Sequence, residues 1–295
     1  MRGLQFNLSK QIYNSRLKSF LDSDNCTNAD LVRLASCRHK STLRWSHPSF
    51  TVPTYTDLCT SMVVRLRTGL PPIDDMPAAC LLCDDCPDLR LDPWHALSCT
   101  KLKRTKTTVR HDGACNLLCQ FARSNDLLAH VVKKDLAHLL PDGEILMARR
   151  CVLFDLSGVN PHTSSYIDLP PGGAMSERER YKESKYRAHC VDLGSSFSPF
   201  VIDSYGCLGP AALQLLKDIQ EESLTSFSPP APYHLSRSAF LARLSSQWQL
   251  DNAKIAVQWL TMMRVATRRF QIHVQSTVSS WPMDDDAPGA DAALA

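Results

Sequence analysis

The sequence predicts an α/β layer over residues 135 to 222, preceded by helical segments and a Cys/His-rich stretch and followed by further helix. Two observations carry this. Strand-like runs at Glu144 to Ala148, Cys151 to Leu156 and Ser198 to Ser204 are interleaved with helical patterns at Ala174 to Cys190 and Pro210 to Glu222. Turn-forming residues fall where that order needs them, at Pro141-Asp142-Gly143 and in the Pro-, Gly- and Ser-rich loop from Ser157 to Gly173.

Ahead of this layer, Ile12 to Leu21 and Asn28 to Leu34 are helix-compatible. Leu58, Met62, Leu66 and Leu70 recur every four residues, and Gly69 with Pro71-Pro72 closes that helix. The stretch from Cys115 to Lys133 places Leu118, Phe121, Ala122, Leu128 and Val132 at helical offsets and reads as another amphipathic helix. Asp155 is expected to end the second strand. Beyond the layer, a Pro/Ser linker precedes a helix over Ser236 to Gln275. Its expected buried face comprises Phe240, Leu241, Leu244, Trp248, Ile255, Trp259, Met262 and Met263.

The 295 residues, 44% hydrophobic and 21% charged, suffice to bury roughly 70 to 75% of the unfolded surface without a covalent staple. No run approaches the ~18 to 20 apolar residues of a membrane span, and MRGLQFNLSK lacks a secretory apolar stretch. An intracellular protein with no membrane partner is the expectation. Twelve cysteines then read as thiols and metal ligands rather than a disulfide framework. The net charge of +3, from 33 basic and 30 acidic residues, does not by itself announce a nucleic-acid partner.

Cys80 and Cys83 are separated by two residues, and His95 and Cys99 by three, a Cys₃His set at knuckle spacing. Thiolate and imidazole donors in a closed tetrahedral shell suit Zn²⁺ in a structural role. Cys83 and Cys86 form an equally good pair, so Cys86 competes as a ligand. Lys101, Lys103, Arg104, Lys106 and Arg110 follow with no acid among them, a stretch that suits phosphate contact as well as a solvated loop. Asp142 and Asp155 stand on neighbouring strand candidates and could share a hard divalent cation. Taken alone they read better as a turn residue and a strand cap. Glu179, Lys182, Glu183, Lys185 and Tyr186 lie on a charged helix that reads as a solvated face, although Lys182 or Lys185 could reach a phosphate.

The order CLLC, DPWHALSC, a basic spacer, VRHDGACNLL (Val109 to Leu118), LPDG (Leu140 to Gly143), CVLFDLSGVNPHTSSY (Cys151 to Tyr166), KESKY (Lys182 to Tyr186) and SPFVIDSYGCLGPAALQLL (Ser198 to Leu216) resembles the C-terminal part of non-LTR, LINE-type retrotransposon polyproteins. Those elements carry a restriction-like endonuclease behind the reverse transcriptase. VVRLRTGLPP (Val63 to Pro72) is similar to the connector between polymerase and knuckle, and RLSSQWQLDNAKI (Arg243 to Ile255) to the terminal helix. The resemblance spans about residues 55 to 260.

The resemblance implies a PD-(D/E)xK-type nuclease, dependent on Mg²⁺ or Mn²⁺, that nicks target DNA to prime reverse transcription. By position, Asp142 and Asp155 would be the metal-binding carboxylates, and they no longer read as a turn and a cap. Lys185 or Lys182 would be the catalytic lysine, Asp135 stands where relatives often carry Glu, and Arg110 and His111 match an Arg-His pair taken as packing or DNA contact. Ser157 occupies the place of the motif's usual lysine. DNA, element RNA and a separate reverse transcriptase are the implied partners, and the nucleus the implied location. Asp84-Asp85 has no polymerase context, so the chain reads as a module of such an element. It divides into a helical connector-like segment at 1–75, knuckle and basic stretch at 76–112, endonuclease core at 113–222, linker at 223–235, helical segment at 236–278 and a disordered tail at 279–295.

Overall fold

The computed structural model describes residues 11, 14–40, 42, 56–84, 87–90, 92–102, 106–132, 141–225 and 235–279. Cys86, Lys103, Arg104, Asp135, most of the linker and the tail from residue 280 lie outside them. Within them the fold is α/β, with helices on both sides of a four-stranded mixed sheet.

Residues 14–21 are helical. Helix α1, Asn28–Arg38, starts on a capping box: the Thr27 hydroxyl accepts from Asp30 N–H, and Asp30 Oδ2 from Thr27 N–H, both at 3.2 Å. Helix α2, Asp57–Thr68, is capped by Thr56 and ends at Gly69, whose φ of 79° is the left-handed conformation that glycine adopts without strain. Only half of the expected stripe is buried. Met62 and Leu66 face inward with Cys59 and Val63, while Leu58 and Leu70 are exposed.

Helix α3, Lys106–Arg123, starts and ends earlier than its apolar pattern indicates. Asn125 closes it by donating from Nδ2 to Phe121 O at 2.8 Å, and Asp126 turns the chain at φ 62°. Leu128–Val131, expected as the helix's last turns, is instead edge strand β1, with Leu128 exposed. A short apolar run at a sheet edge mimics helical spacing.

Strands β2, Gly143–Met147, and β3, Arg150–Val159, follow; helix α4, Gly173–Asp192, crosses to β4, Ser196–Asp203; helix α5 spans Pro210–Thr225 and helix α6 Arg237–Ser279. Strand order is β1-β2-β3-β4, with the first two pairings antiparallel and β3-β4 parallel. Asp155 does not end β3. It sits within the ladder opposite Pro199, which is tolerated because β4 is an edge strand. The loop accordingly begins after Val159, where Asn28 Nδ2 holds it through Ile167 O and Leu169 O.

Two hydrophobic cores result. One joins α3, α5 and the start of α6 to the sheet face bearing Val152, Phe154 and Leu156. The other joins α2, the Cys/His segment and the later part of α6, from Leu250 to Met263. On the opposite face of β3, Leu153 packs on Tyr186 and Cys190 of α4. At about 1.5 Å per residue the 43-residue α6 spans roughly 65 Å and serves both cores. Between Leu244 and Ala256 only Gln247 and Lys254 escape burial, so its polar residues need partners. They find them on the turn after β4: Trp248 Nε1 donates to Asp203 O at 2.8 Å, and Asn252 Nδ2 and Gln249 Nε2 donate to Ser204 O at 2.7 and 3.2 Å. The expected Met262 contributes only partly, whereas Met263 is buried.

The Asp203 carboxylate closes the same turn, accepting from Tyr205 and Cys207 N–H at 2.8 Å each. Burial pushes its pKa up from 3.8 to about 6, against the hydrogen bonds from Ser36, Cys207 and Tyr205 and the Arg67 charge. A folded pKa above the unfolded one means the native state holds the extra proton. Asp203 therefore contributes most below about pH 4, and this contribution is lost as pH rises to about 6. Asp203→Asn keeps an acceptor for the two N–H groups, and its melting temperature relative to wild type should climb between pH 4 and 6 and then level off.

Gly143 offers a second test. A Cβ there would lie 2.5 Å from the Phe154 ring and 2.8 Å from His130 O, so the turn admits only glycine. Gly143→Ala should cost about 1 to 3 kcal/mol through overpacking, read as a lower denaturation midpoint.

Candidate metal centre and carboxylate site

The Cys/His segment is shaped by a small antiparallel bridge, Ala79 to Asp88, with Cys80 N–H donating to Pro87 O and Leu89 N–H to Ala78 O. This turn delivers Cys80 and Cys83. The short helical turn His95–Leu97 delivers His95 and then Cys99, and Trp94 anchors it by donating to Leu70 O at 2.9 Å. Cys83 Sγ lies 3.2 Å from His95 Nε2 and 3.5 Å from Cys99 Sγ, and one ligand atom from each of Cys80, Cys83, His95 and Cys99 falls within 4.8 Å of the others. Metal–sulfur bonds of about 2.3 Å in a tetrahedron put sulfurs roughly 3.8 Å apart, so the four donors can hold a metal ion with little movement. The hydrogen bond from Cys99 leads the effects that push the Cys80 thiol down to about 3, and the same contact pushes Cys99 up. Asp92 stands 3.8 Å from His95 Nδ1, leaving Nε2 toward the sulfurs.

The basic stretch is less open than its sequence indicates. Lys101 pairs with Asp84 at 3.1 Å. Lys106 opens α3, its side chain outside the described atoms. Arg110 is buried, stacked 4.4 Å over Trp248 and donating to Asn252 Oδ1 at 2.5 Å. It packs α3 to α6, and it also lines the cavity described below.

The carboxylates come together through sheet register. Gly143 is paired with Phe154, so Asp142 and Asp155 occupy the next position on the two antiparallel strands. Both are buried. Asp142 Oδ2 accepts from Leu156 N–H at 2.8 Å and from His111 Nε2 at 2.9 Å. Asp155 Oδ2 meets Lys182 Nζ at 2.7 Å and Ser157 Oγ at 3.4 Å. Of the two candidate lysines, Lys182 reaches the carboxylate; Lys185, one turn on, is exposed and lies 4.6 Å from the Tyr186 ring centre. Glu179, read as part of a solvated face, instead accepts from Ala211 N–H at 3.1 Å at the start of α5.

A cavity of about 650 Å³ is lined by the partners of these carboxylates, His111, Ser157 and Lys182, together with Arg110, Arg178 and Trp248, while Asp142 and Asp155 lie behind its wall. Its basic side chains outnumber its one acid, Asp112, which suits an anion. Arg178 escaped the sequence analysis, although it lies one helical turn before Lys182 and so shares its face. The His111 contact escaped as well, because the helix was read as starting at Cys115. Burial works against the His111 cation, but hydrogen bonds to Asp142 and Cys115 overcome it and push its pKa up to about 11.

The Cys/His cluster shares a core with Trp94 and Trp259. Stripping its metal with a strong chelator should loosen that core, seen as a red shift of tryptophan fluorescence and a lower melting temperature, with re-addition of metal restoring both. An unchanged spectrum and melt would show the four side chains to be ordinary buried residues.

No protein-family model matches the chain, and no curated protein matches it in sequence.

Proposed function

We propose that the chain is the zinc-knuckle and restriction-like endonuclease region of a LINE-type retrotransposon-derived protein, nicking target DNA so that the freed 3′ end primes reverse transcription. The observation that carries the reading is the buried Asp155–Lys182 ion pair, set beside Asp142 and against a cation-lined cavity. Burying such a pair gains little stability over apolar residues of the same size. Charges kept buried at a cavity are what phosphoryl chemistry uses.

Asp142 and Asp155 would hold Mg²⁺ or Mn²⁺, since carboxylate oxygens suit a hard cation. When bound, that ion supplies Lewis acidity and lowers the pKa of attacking water. The remaining work falls to the chain. Lys182 sets its ammonium beside Asp155, where it can offset charge on a scissile phosphate. It thereby supplies from α4 what Ser157 cannot supply from β3. Arg178 and His111 draw the phosphate into the cavity. Three thiolates and an imidazole suit Zn²⁺ at the knuckle. Element RNA, a reverse transcriptase and nuclear residence belong to the same proposal.

One observation favours a second reading, a catalytically inactive nucleic-acid-binding remnant: Asp142 Oδ2 already accepts two hydrogen bonds from protein groups. A nicking assay on supercoiled plasmid with Mg²⁺ or Mn²⁺ separates the two. Intact protein should produce open circles, Asp142→Ala, Asp155→Ala and Lys182→Ala should each lose about 10²-fold or more in rate, and Lys185→Ala should stay near wild type. Protein that shifts DNA on a gel, weakening steeply with salt, yet never nicks it, identifies the remnant.

A further inference from the structure

We infer that His111, Cys115 and Asp142 form a second metal site, suited to a borderline transition ion such as Zn²⁺ and separate from the knuckle. His111 and Cys115 lie four residues apart on α3, so they project from one face of the helix, the arrangement by which paired helical ligands grip one ion. Asp142 meets them from the turn before β2. His111 Nε2 is 2.9 Å from Asp142 Oδ2, Cys115 Sγ is 4.0 Å from that nitrogen, and one donor atom of each residue lies within 4.8 Å of the others. An ion at about 2.0 to 2.3 Å from nitrogen, oxygen and sulfur needs separations of roughly 3.3 to 3.8 Å; the His111–Asp142 pair reaches them by a shift of a few tenths of an ångström, whereas Cys115 Sγ, 3.9 Å from Nδ1 and 4.0 Å from Nε2, must turn to the Nε2 side of the ring.

A second contact points the same way. The other ring nitrogen, His111 Nδ1, lies 3.0 Å from Asp112 Oδ1. A carboxylate on the far nitrogen of a histidine fixes the tautomer that leaves Nε2 bare for a metal, an arrangement typical of zinc-bound histidines. Cys115 and Asp142 are buried, while His111 lines the cavity. Three protein ligands leave a fourth place to be filled by water, whereas the knuckle's four donors close its shell. The thiolate decides the ion class, because Mg²⁺ takes oxygen ligands and leaves sulfur to softer metals.

The inference gives Asp142 and His111, which the nuclease reading also uses, a second role, and its test needs no nicking, so the two can fail separately. Full-length protein prepared with Zn²⁺ and freed of loosely held metal is analysed for zinc per chain by mass spectrometry, alongside Cys115→Ser, His111→Ala and Cys83→Ala. Two ions per chain are expected in the intact protein, one per site, falling to one in each of the three variants. Cobalt substitution adds an independent reading: Cys115→Ser should lose one of the four thiolate–cobalt bonds, three at the knuckle and one at Cys115, dimming the charge-transfer band by about a quarter while the knuckle's spectrum persists. A single ion in the intact protein overturns the inference whatever the variants do. So does a second ion that survives both Cys115→Ser and His111→Ala.

Discussion

One turn of backbone, residues 203 to 206, is where the architecture is tied together. Helix α6 reaches it with Trp248, Gln249 and Asn252, which donate to Asp203 O and Ser204 O. From the other side Arg67 of α2 donates to Tyr205 O at 3.4 Å and to Cys37 O at 3.0 Å. A helix surrounded on nearly every side cannot leave amide and indole donors unmet, since each unmet group would cost about 1 to 3 kcal/mol. The turn's carbonyls, likewise shielded from water, need donors. Neither element is satisfied without the other. The end of the sheet and the middle of α6 are therefore fixed in register, and the two cores on either side are held at one relative position.

That register also places the charged site. Arg110 of α3 stacks on Trp248 and bonds Asn252, so α3 is pinned to the same stretch of α6 that holds the turn. The residue after Arg110 is His111, which consequently meets Asp142 at the head of β2. Gly143, where no Cβ fits, lets the chain pass close under Phe154 and brings Asp142 alongside Asp155. Each step is a packing constraint, and together they bring an imidazole, two carboxylates and a lysine to one place.

How much of this was legible in the sequence follows from which signals are local. The strand, strand, helix, strand, helix order was readable because apolar periodicity and turn residues act over a few positions, and the four knuckle donors were readable because their spacing is itself local. The end of α3 was not. Leu128 and Val132 continue a helical spacing although Asn125 and Asp126 have already broken the helix, and only the ladder with β2 turns Leu128–Val131 into a strand. The extension of β3 through Asp155 depends likewise on its being sandwiched between β2 and β4. The choice of Lys182 over Lys185 depends on which face of α4 the β3-to-β4 crossover turns toward the sheet. No local pattern encodes that, because α4 is charged on most of its surface.

The energetics of the site argue that its charges are retained for what they do. Asp155 with Lys182 and Asp142 with His111 are largely withdrawn from water, and Arg110 is buried with Asp251 as the nearby charge that supports it. Desolvating an ion costs several kcal/mol, which its partner's attraction returns only when geometry is good, and apolar residues of the same volume would do as well or better. The main core shows that this chain builds such packing readily, with Phe154, Phe200 and Leu156 fully enclosed beside these same strands. Stability alone thus gives no reason for two buried carboxylates to be paired with the lysine and histidine that line a cavity. Binding an anion or a metal ion does, because the fold has already met the desolvation cost that a flexible, solvated set of side chains would face on each encounter with a ligand.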